Sequence, residues 1–323
     1  MGKILVMGGA GYIGSHTLKH LREHGYNTIA ADNLSCGHKE AVLDAEFIKA
    51  DLMDKSSLDK IFSQHQIDAV IHFAAFSLVG ESVTSPEKYY KNNVIGTLNL
   101  LDSMLQHNVK NIVFSSTCAT YGNPEYVPID EKHPQSPINP YGQTKLVIEN
   151  IFKDYQKAYG LKYIALRYFN AAGADESGLI GESHNPESHL IPLVLQAIQG
   201  KRENIKVFGN DYDTPDGTCL RDYIHVNDLA SAHRLAVEKL DEFQGFINLG
   251  TGIPTSVMEI INAAEKVSGK KCPLVISERR EGDPAKLFAD NKQAKQILNW
   301  IPQHTNIEEI IRTAWNWELN RSF

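Results

Sequence analysis

The first fourteen residues place the strongest limit on the fold. Lys3-Ile4-Leu5-Val6-Met7 is a short apolar run that feeds directly into Gly8-Gly9-Ala10-Gly11-Tyr12-Ile13-Gly14, after which Ser15 to His24 has helical spacing. Strand, glycine loop and helix in that order predict a parallel α/β unit whose helix N-terminus faces a dinucleotide pyrophosphate. Gly8 permits the tight turn, Gly11 lets the phosphates approach the backbone, and Gly14 lets the helix pack on the strand. A second strand, Asn27 to Ala31, ends in Asp32, close to the ~20-residue spacing such a site uses. A carboxylate there holds the two hydroxyls of an adenosine ribose and repels a 2′-phosphate, so the expected cofactor is NAD and not NADP.

The alternation continues through the first half. Phe47-Ile48 is followed by Asp51-Leu52 and a helix from Ser56 to His65; Asp51 either approaches the adenine or closes a turn. Ala69 to Phe73 is a further strand running into Ala74-Ala75, small residues that leave room for a cofactor. A long helix from Pro86 to His107 carries Asn92, and the strand Asn111 to Phe114 ends in Ser115-Ser116-Thr117. Hydroxyls at the carboxyl end of a parallel strand face the crevice where such sheets bind ligands, although turns use them too. The expected fold class is therefore α/β: a doubly wound parallel (Rossmann) sheet with a smaller C-terminal α/β substrate-binding domain. The 323 residues divide on this reading into an NAD-binding domain over 1–170 and a mainly substrate-binding domain over 171–323, with about 220–250 returning to the sheet.

Pro140-Tyr141-Gly142-Gln143-Thr144-Lys145 opens a long amphipathic helix and sets a phenol and an ammonium at i and i+4, on one helix face. A free phenol titrates near pH ~10. Lowering that by about three units takes roughly 4 kcal/mol, about what one cation ~4 Å away supplies at an effective dielectric of ~20. The pair thus reads as a lysine-tuned base, against the plainer reading of two surface residues at a common spacing.

Composition narrows the partners. With 32 Lys and Arg against 39 Asp and Glu the formal charge is −7, which argues against nucleic acid and membrane surfaces, both of which require a basic face. An anionic ligand must then be met by local arginines, and Arg221 and the Arg279 to Asp283 segment offer two such sites. Cys36, Cys118, Cys219 and Cys272 form no C-x-x-C pair and read as free thiols. The chain starts without signal-peptide features, and its most apolar stretch, Ala69 to Gly80, is too short to span a bilayer, so a cytoplasmic enzyme is expected. His184, Ser188 and His189 lie in a Gly/Ser/His/Pro-rich loop and read as loop residues without a metal-ligand pattern. Asp211, Asp213 and Asp216 do not complete a calcium loop, because Pro215 breaks the alternation. No metal is expected. Trp315 and Trp317 read as packing residues of a C-terminal helix over Asn306 to Asn320.

The glycine spacing together with Tyr141 and Lys145 resembles the extended short-chain dehydrogenase/reductase superfamily. More specifically, Gly8 to Ser15, Gly80-Glu81-Ser82-Val83, Phe114 to Thr117 with Tyr121-Gly122, Arg167-Tyr168-Phe169-Asn170, Phe208 to Tyr212, Arg221 to Val226 and Arg279 to Asp283 resemble the UDP-galactose/UDP-glucose 4-epimerase family. The resemblance covers nearly the whole chain. It implies Tyr141 as the base at the sugar 4-hydroxyl, Lys145 as its neighbour, and Thr117, where serine is usual, as a bridging hydroxyl. It further implies that Gly8, Gly11, Tyr12, Ile13, Gly14, Asp32, Asn33, Asp51, Leu52, Phe73, Asn92 and Phe169 line the NAD site with Tyr141 and Lys145. Thr117, Asn170, His189, Leu190, Phe208, Arg221, Arg280 and Asp283 would hold a UDP-hexose. A homodimer packed through helices starting near Pro86 and Tyr141 is also implied.

The chain departs from the family pattern at several positions. Met7 replaces a threonine before the glycines, Ser77 stands where some members have lysine, and His189 stands where asparagine is frequent. Leu287 occupies a position where some members carry a tyrosine that walls off the sugar 2-position, which suggests that UDP-GlcNAc is also converted. A 4,6-dehydratase would need an acid and a base beside Thr117, but Cys118 and Ala119 follow it. An exchange-type NAD dehydrogenase of a small alcohol gives no reason for the arginine segments, and a noncatalytic NAD sensor none for Thr117, Tyr141 and Lys145 together.

Overall fold

The computed structural model describes residues 2–280 and 282–323. Its central sheet takes β1 (Lys3–Met7), β2 (Asn27–Asp32), β3 (Glu46–Lys49), β4 (Ile67–His72), β5 (Asn111–Thr117), β6 (Lys162–Tyr168) and, after three strands that lie elsewhere, β10 (Gly245–Leu249). The order is β10-β6-β5-β4-β1-β2-β3 and every pairing is parallel. The chain reverses direction across the sheet between β1 and β4, the point where a doubly wound sheet opens a ligand crevice. The loops after these two strands meet there: Phe73 N and Ala74 N both donate to Met7 O.

Helices cover both faces, as a fully buried parallel sheet requires. On one face lie α1 (Tyr12–Glu23) and α8 (Val226–Lys239), which bury Leu18, Leu21, Leu229 and Ala232. On the other lie α2 (Lys55–Gln64), α5 (Gly96–Gln106) and α6 (Pro140–Tyr159), with Leu58, Leu100, Ile148 and Phe152. Each such fully buried aliphatic or phenyl side chain stabilises the fold by roughly 1.5–3 kcal/mol. The helix predicted over Pro86 to His107 exists but is not uniform. After the short α3 (Val79–Thr84) and α4 (Pro86–Tyr89), residues Tyr90–Ile95 form a π-helical stretch before α5. Such a bulge leaves no trace in hydrophobic spacing and re-aims side chains, here turning Asn93 inward.

The remaining strands form two small sheets at the carboxyl edge of the large one. β9 (Leu220–His225) is flanked by β11 (Pro254–Ser256) and β13 (Lys286–Leu287) and also pairs with β7 (Asn170–Ala172). β8 (Ile205–Phe208) pairs with β12 (Leu274–Ser277). They pack with α7 (Leu190–Ile198), α9 (Val257–Ser268) and α11 (Ile307–Asn320) around Val194, Leu195, Ile260 and Ile311, while α10 (Lys292–Leu298) returns to the first core. Trp315 and Trp317 are buried on α11. Among the described residues no helix is long and apolar enough to cross a membrane, and all four cysteines are free thiols.

Candidate active site

The glycine loop behaves as its spacing predicts. Gly8 has φ +80°, and a Cβ there would lie 2.6 Å from Ala74 N; at Gly14 a Cβ would lie 2.1 Å from the Gly8 carbonyl oxygen. α1 therefore starts in contact with the β1 turn, and its first free N–H groups face the crevice. Asp32 ends β2 with its carboxylate accepting from Ala10 N at 3.1 Å and Leu34 N at 2.8 Å. Burial raises its pKa, and these amides oppose the rise. Asn33 reaches Asp51 at 2.9 Å, so Asp51 is tied to the ribose-side loop. Tyr12 Oη donates to Gly173 O at 2.6 Å, Phe73 packs on His233, and Leu52 sits under Gly96.

α6 starts with a strong local signal. Asn139 caps it, accepting from Gly142 N at 2.8 Å, Pro140 fills the first turn, and Gly160 ends it in the left-handed region. That puts Tyr141 and Lys145 over the carboxyl end of β5, with Thr117 and Ser115. Lys145 is 2% exposed, and its Nζ donates to Ser115 O at 2.7 Å and lies 4.6 Å from the Phe114 ring centre. It is 5.9 Å from the centre of the Tyr141 ring. Burial pushes the Tyr141 phenol up to about 12, against a lowering by the Thr117 hydroxyl. Burial also brings the Lys145 ammonium down to about 7, with Glu149 opposing.

Without cofactor, burial is the largest influence on both groups and disfavours the charged form of each. A one-dimensional spacing gives proximity but carries no information on burial.

At the other end of the crevice the two arginine segments do converge. Arg221 and Asp283 form an ion pair, and Arg221 also donates to Pro284 O at 2.9 Å. Arg280 lies 3.8 Å above the Phe208 ring, while Arg279 turns away to Asp211 at 2.7 Å. Asn170 donates to Asp222 O at 3.1 Å, Phe169 packs in a small cluster with Tyr121 and Ile129, and Leu190 opens α7 directly after the His189 cap. The expected Asn92 is only partly buried and bonds to its neighbour. Asn93 instead ties the Phe76 backbone to Thr144 on α6.

Two features were missed in the sequence. Glu149, one turn beyond Lys145, is fully buried and accepts from Arg167 at 2.8 and 2.6 Å, Ser116 Oγ at 2.6 Å and Gln135 at 2.9 Å. Arg167 goes on to Tyr121 Oη, which donates to Asn248 at 2.6 Å. The i+4 step from Lys145 to Glu149 was the available signal. The second is a gathering of Glu182, His184, Glu187 and His189 beside Tyr12, whose ring lies 6.2 Å from that of His184. The sequence reading treated these histidines as separate loop residues.

Residues 4–250 match the model of the NAD dependent epimerase/dehydratase family. The chain is 56% identical to the UDP-glucose 4-epimerase of Halalkalibacterium halodurans over 97% of its own length and 95% of that protein. Among solved structures, that of the UDP-glucose 4-epimerase from Brucella ovis in complex with NAD is similar at a TM-score of 0.95, with 50% identity over 98% of each chain. The one from Bifidobacterium longum in complex with NAD+ and UDP is similar at 0.93, with 40% identity over 98% of each chain.

Proposed function

The chain belongs to the NAD dependent epimerase/dehydratase family, and from that premise we propose how its own residues carry out the reaction. The protein is an isomerase that uses NAD to interconvert UDP-glucose and UDP-galactose at C4 through a transient 4-keto sugar. NAD supplies the hydride acceptor and later donor, and its oxidised ring brings one positive charge. Tyr141 Oη takes the O4 proton as C4 becomes a ketone and returns it after the sugar has turned over. Thr117 would hold O4 beside that phenol, and positive charge from a bound nicotinamide and from Lys145 would favour its ionised form.

The observation that carries this reading is the joining of Tyr141, Lys145 and Thr117 at the end of β5, next to the glycine loop at the β1/β4 reversal. In the proposed roles, Gly8, Gly11, Tyr12, Ile13, Gly14, Asp32, Asn33, Asp51, Leu52, Phe73, Asn92 and Phe169 serve the cofactor. Asn170, His189, Leu190, Phe208, Arg221, Arg280 and Asp283 serve the nucleotide and sugar. Arg221, once its carboxylate partner yields, and Arg280 supply fork-shaped donors for a diphosphate, and Phe208 a platform. An elimination is disfavoured because Cys118 and Ala119 follow Thr117, with no carboxylate to serve as a second acid or base. Incubating the purified protein with UDP-galactose alone should yield UDP-glucose with no added cofactor; a requirement for stoichiometric oxidant would reject the closed redox cycle.

Two finer readings belong here. A homodimer is supported by Val79 and Val83 on α3 and Tyr90 and Ile95 on the π-helical stretch that follows α4, all exposed. Light scattering that gives a monomer mass at micromolar concentration would reject it. Conversion of UDP-GlcNAc rests on Leu287 at the β13 edge. No turnover of UDP-GlcNAc where UDP-galactose reacts would remove it.

A further inference from the structure

The cluster formed by Glu182, His184, Glu187 and His189 carries no proton or hydride in the chemistry above; His189 alone is shared with the proposed sugar-nucleotide residues. The four side chains follow the pattern E-x-H-x-x-E-x-H in one loop that ends at the first turn of α7. One donor atom from each lies within 4.8 Å of all the others. The Glu182 and Glu187 side chains are 6% and 7% exposed, and among the described residues their charged partners are imidazoles alone. Two buried carboxylates without an arginine or lysine need compensating positive charge.

The geometry suits a small cation better than direct pairing. His184 Nδ1 is 3.2 Å from Glu182 and 3.6 Å from Glu187, and His189 Nδ1 is 3.7 Å from Glu187. A tetrahedral ion with bonds of about 2.0–2.1 Å places its ligands about 3.3 Å apart. His184 Nδ1 is also shut off from solvent with no hydrogen-bond partner, so neither carboxylate lies along its donor axis despite the short distances. His189 Nδ1 directly touches Glu182, and its half-exposed ring is the member free to swing outward. The frame around them is fixed. Trp317 Nε1 donates to Glu182 O at 2.8 Å, and the indole packs on Gly181, where a Cβ would be 2.3 Å from the ring.

We propose that Glu182, His184, Glu187 and His189 form a binding site for a divalent transition-metal ion of the zinc type, fixing the loop before α7 against the Tyr12 end of α1. Two imidazole nitrogens and two carboxylate oxygens are a zinc-type donor set, whereas magnesium and calcium prefer oxygen alone. With neutral imidazoles the two carboxylates balance the ion's charge.

The test is direct. The full chain is stripped with a chelator, titrated with zinc chloride against a chromophoric zinc indicator, and its metal content is measured after dialysis. The expected result is one zinc per chain, with binding at least 100-fold weaker in His184→Gln and no displacement by millimolar magnesium. His189→Gln, at the half-exposed ring, gives the same reading if His184→Gln does not fold. Folded wild-type protein that retains less than one zinc at micromolar concentration overturns the site. So does wild-type affinity in either folded variant, which would place the ion on other histidines.

Discussion

Lys145 Nζ donates to the main-chain carbonyl of Ser115 at 2.7 Å. A residue of α6 is thereby fastened to the strand that carries Thr117, so the phenol, the ammonium and the threonine hydroxyl share one rigid frame. The same helix continues to Glu149, which takes Ser116 Oγ of that strand at 2.6 Å. Hydroxyl and carbonyl on successive residues of β5 are therefore gripped by successive turns of one helix. Preorganisation of this kind lets a base act without first being ordered.

Tyr141→Phe should fold and keep NAD, because the ring and its packing remain, while turnover falls by at least 10²–10³-fold with the loss of the general base. Nucleotide released on denaturation and steady-state rates with UDP-galactose check both halves. Activity within tenfold of the parent would contradict the role.

Lys145→Met should move the rising limb of the pH–rate profile upward, since the phenol loses an ammonium neighbour that is charged below about pH 7. The ligand-free chain gives a separate sign. A lysine brought from 10.5 down to about 7 by burial is neutral when folded but protonated when unfolded between those values. The unfolded state then binds more protons, so this residue makes stability rise with pH from about 7 to 10.5. Thermal midpoints of wild type and Lys145→Met across that range should converge toward high pH, and parallel curves would refute the assignment.

Arg167→Met leaves Glu149 buried without its bidentate partner, and loss of one side of such a pair costs roughly 3–5 kcal/mol. Urea unfolding should show a large drop in midpoint. A change under about 1 kcal/mol would show that the Arg167–Glu149 pair does not help hold the fold.

Arg280→Ala should weaken UDP binding about tenfold or more, the scale of one charge-assisted hydrogen bond of ~1.5–3 kcal/mol, and leave NAD content unchanged. Calorimetry with UDP reads the first and absorbance of released nucleotide the second. Unaltered UDP affinity would remove Arg280 from the clamp.

Gly14→Ala forces a methyl to within 2.1 Å of the Gly8 carbonyl oxygen, which only backbone movement can relieve. The variant should be purified without NAD or not fold at all. Full cofactor occupancy would show that α1 can slide at no cost.

Sequence by itself determined the elements whose cause is local. The β1 run, the glycines, Asp32 at the end of β2 and the Asn139-Pro140 start of α6 each specify their structure through near neighbours, and period-2 or period-3.6 patterning shows them directly. It also paired Tyr141 with Lys145, because i and i+4 share a helix face wherever the helix lies. Only the tertiary structure decided what depends on distant partners and on exclusion of water. The π-helical stretch that turns Asn93 inward, β7 and β8, and the buried Glu149–Arg167 pair have no local signature. Burial, which no spacing encodes, holds the Tyr141 phenol near 12 and the Lys145 ammonium near 7. The convergence of Glu182, His184, Glu187 and His189 was equally hidden, because a loop has no period, and Trp317, far along the chain, fixes where that loop lies.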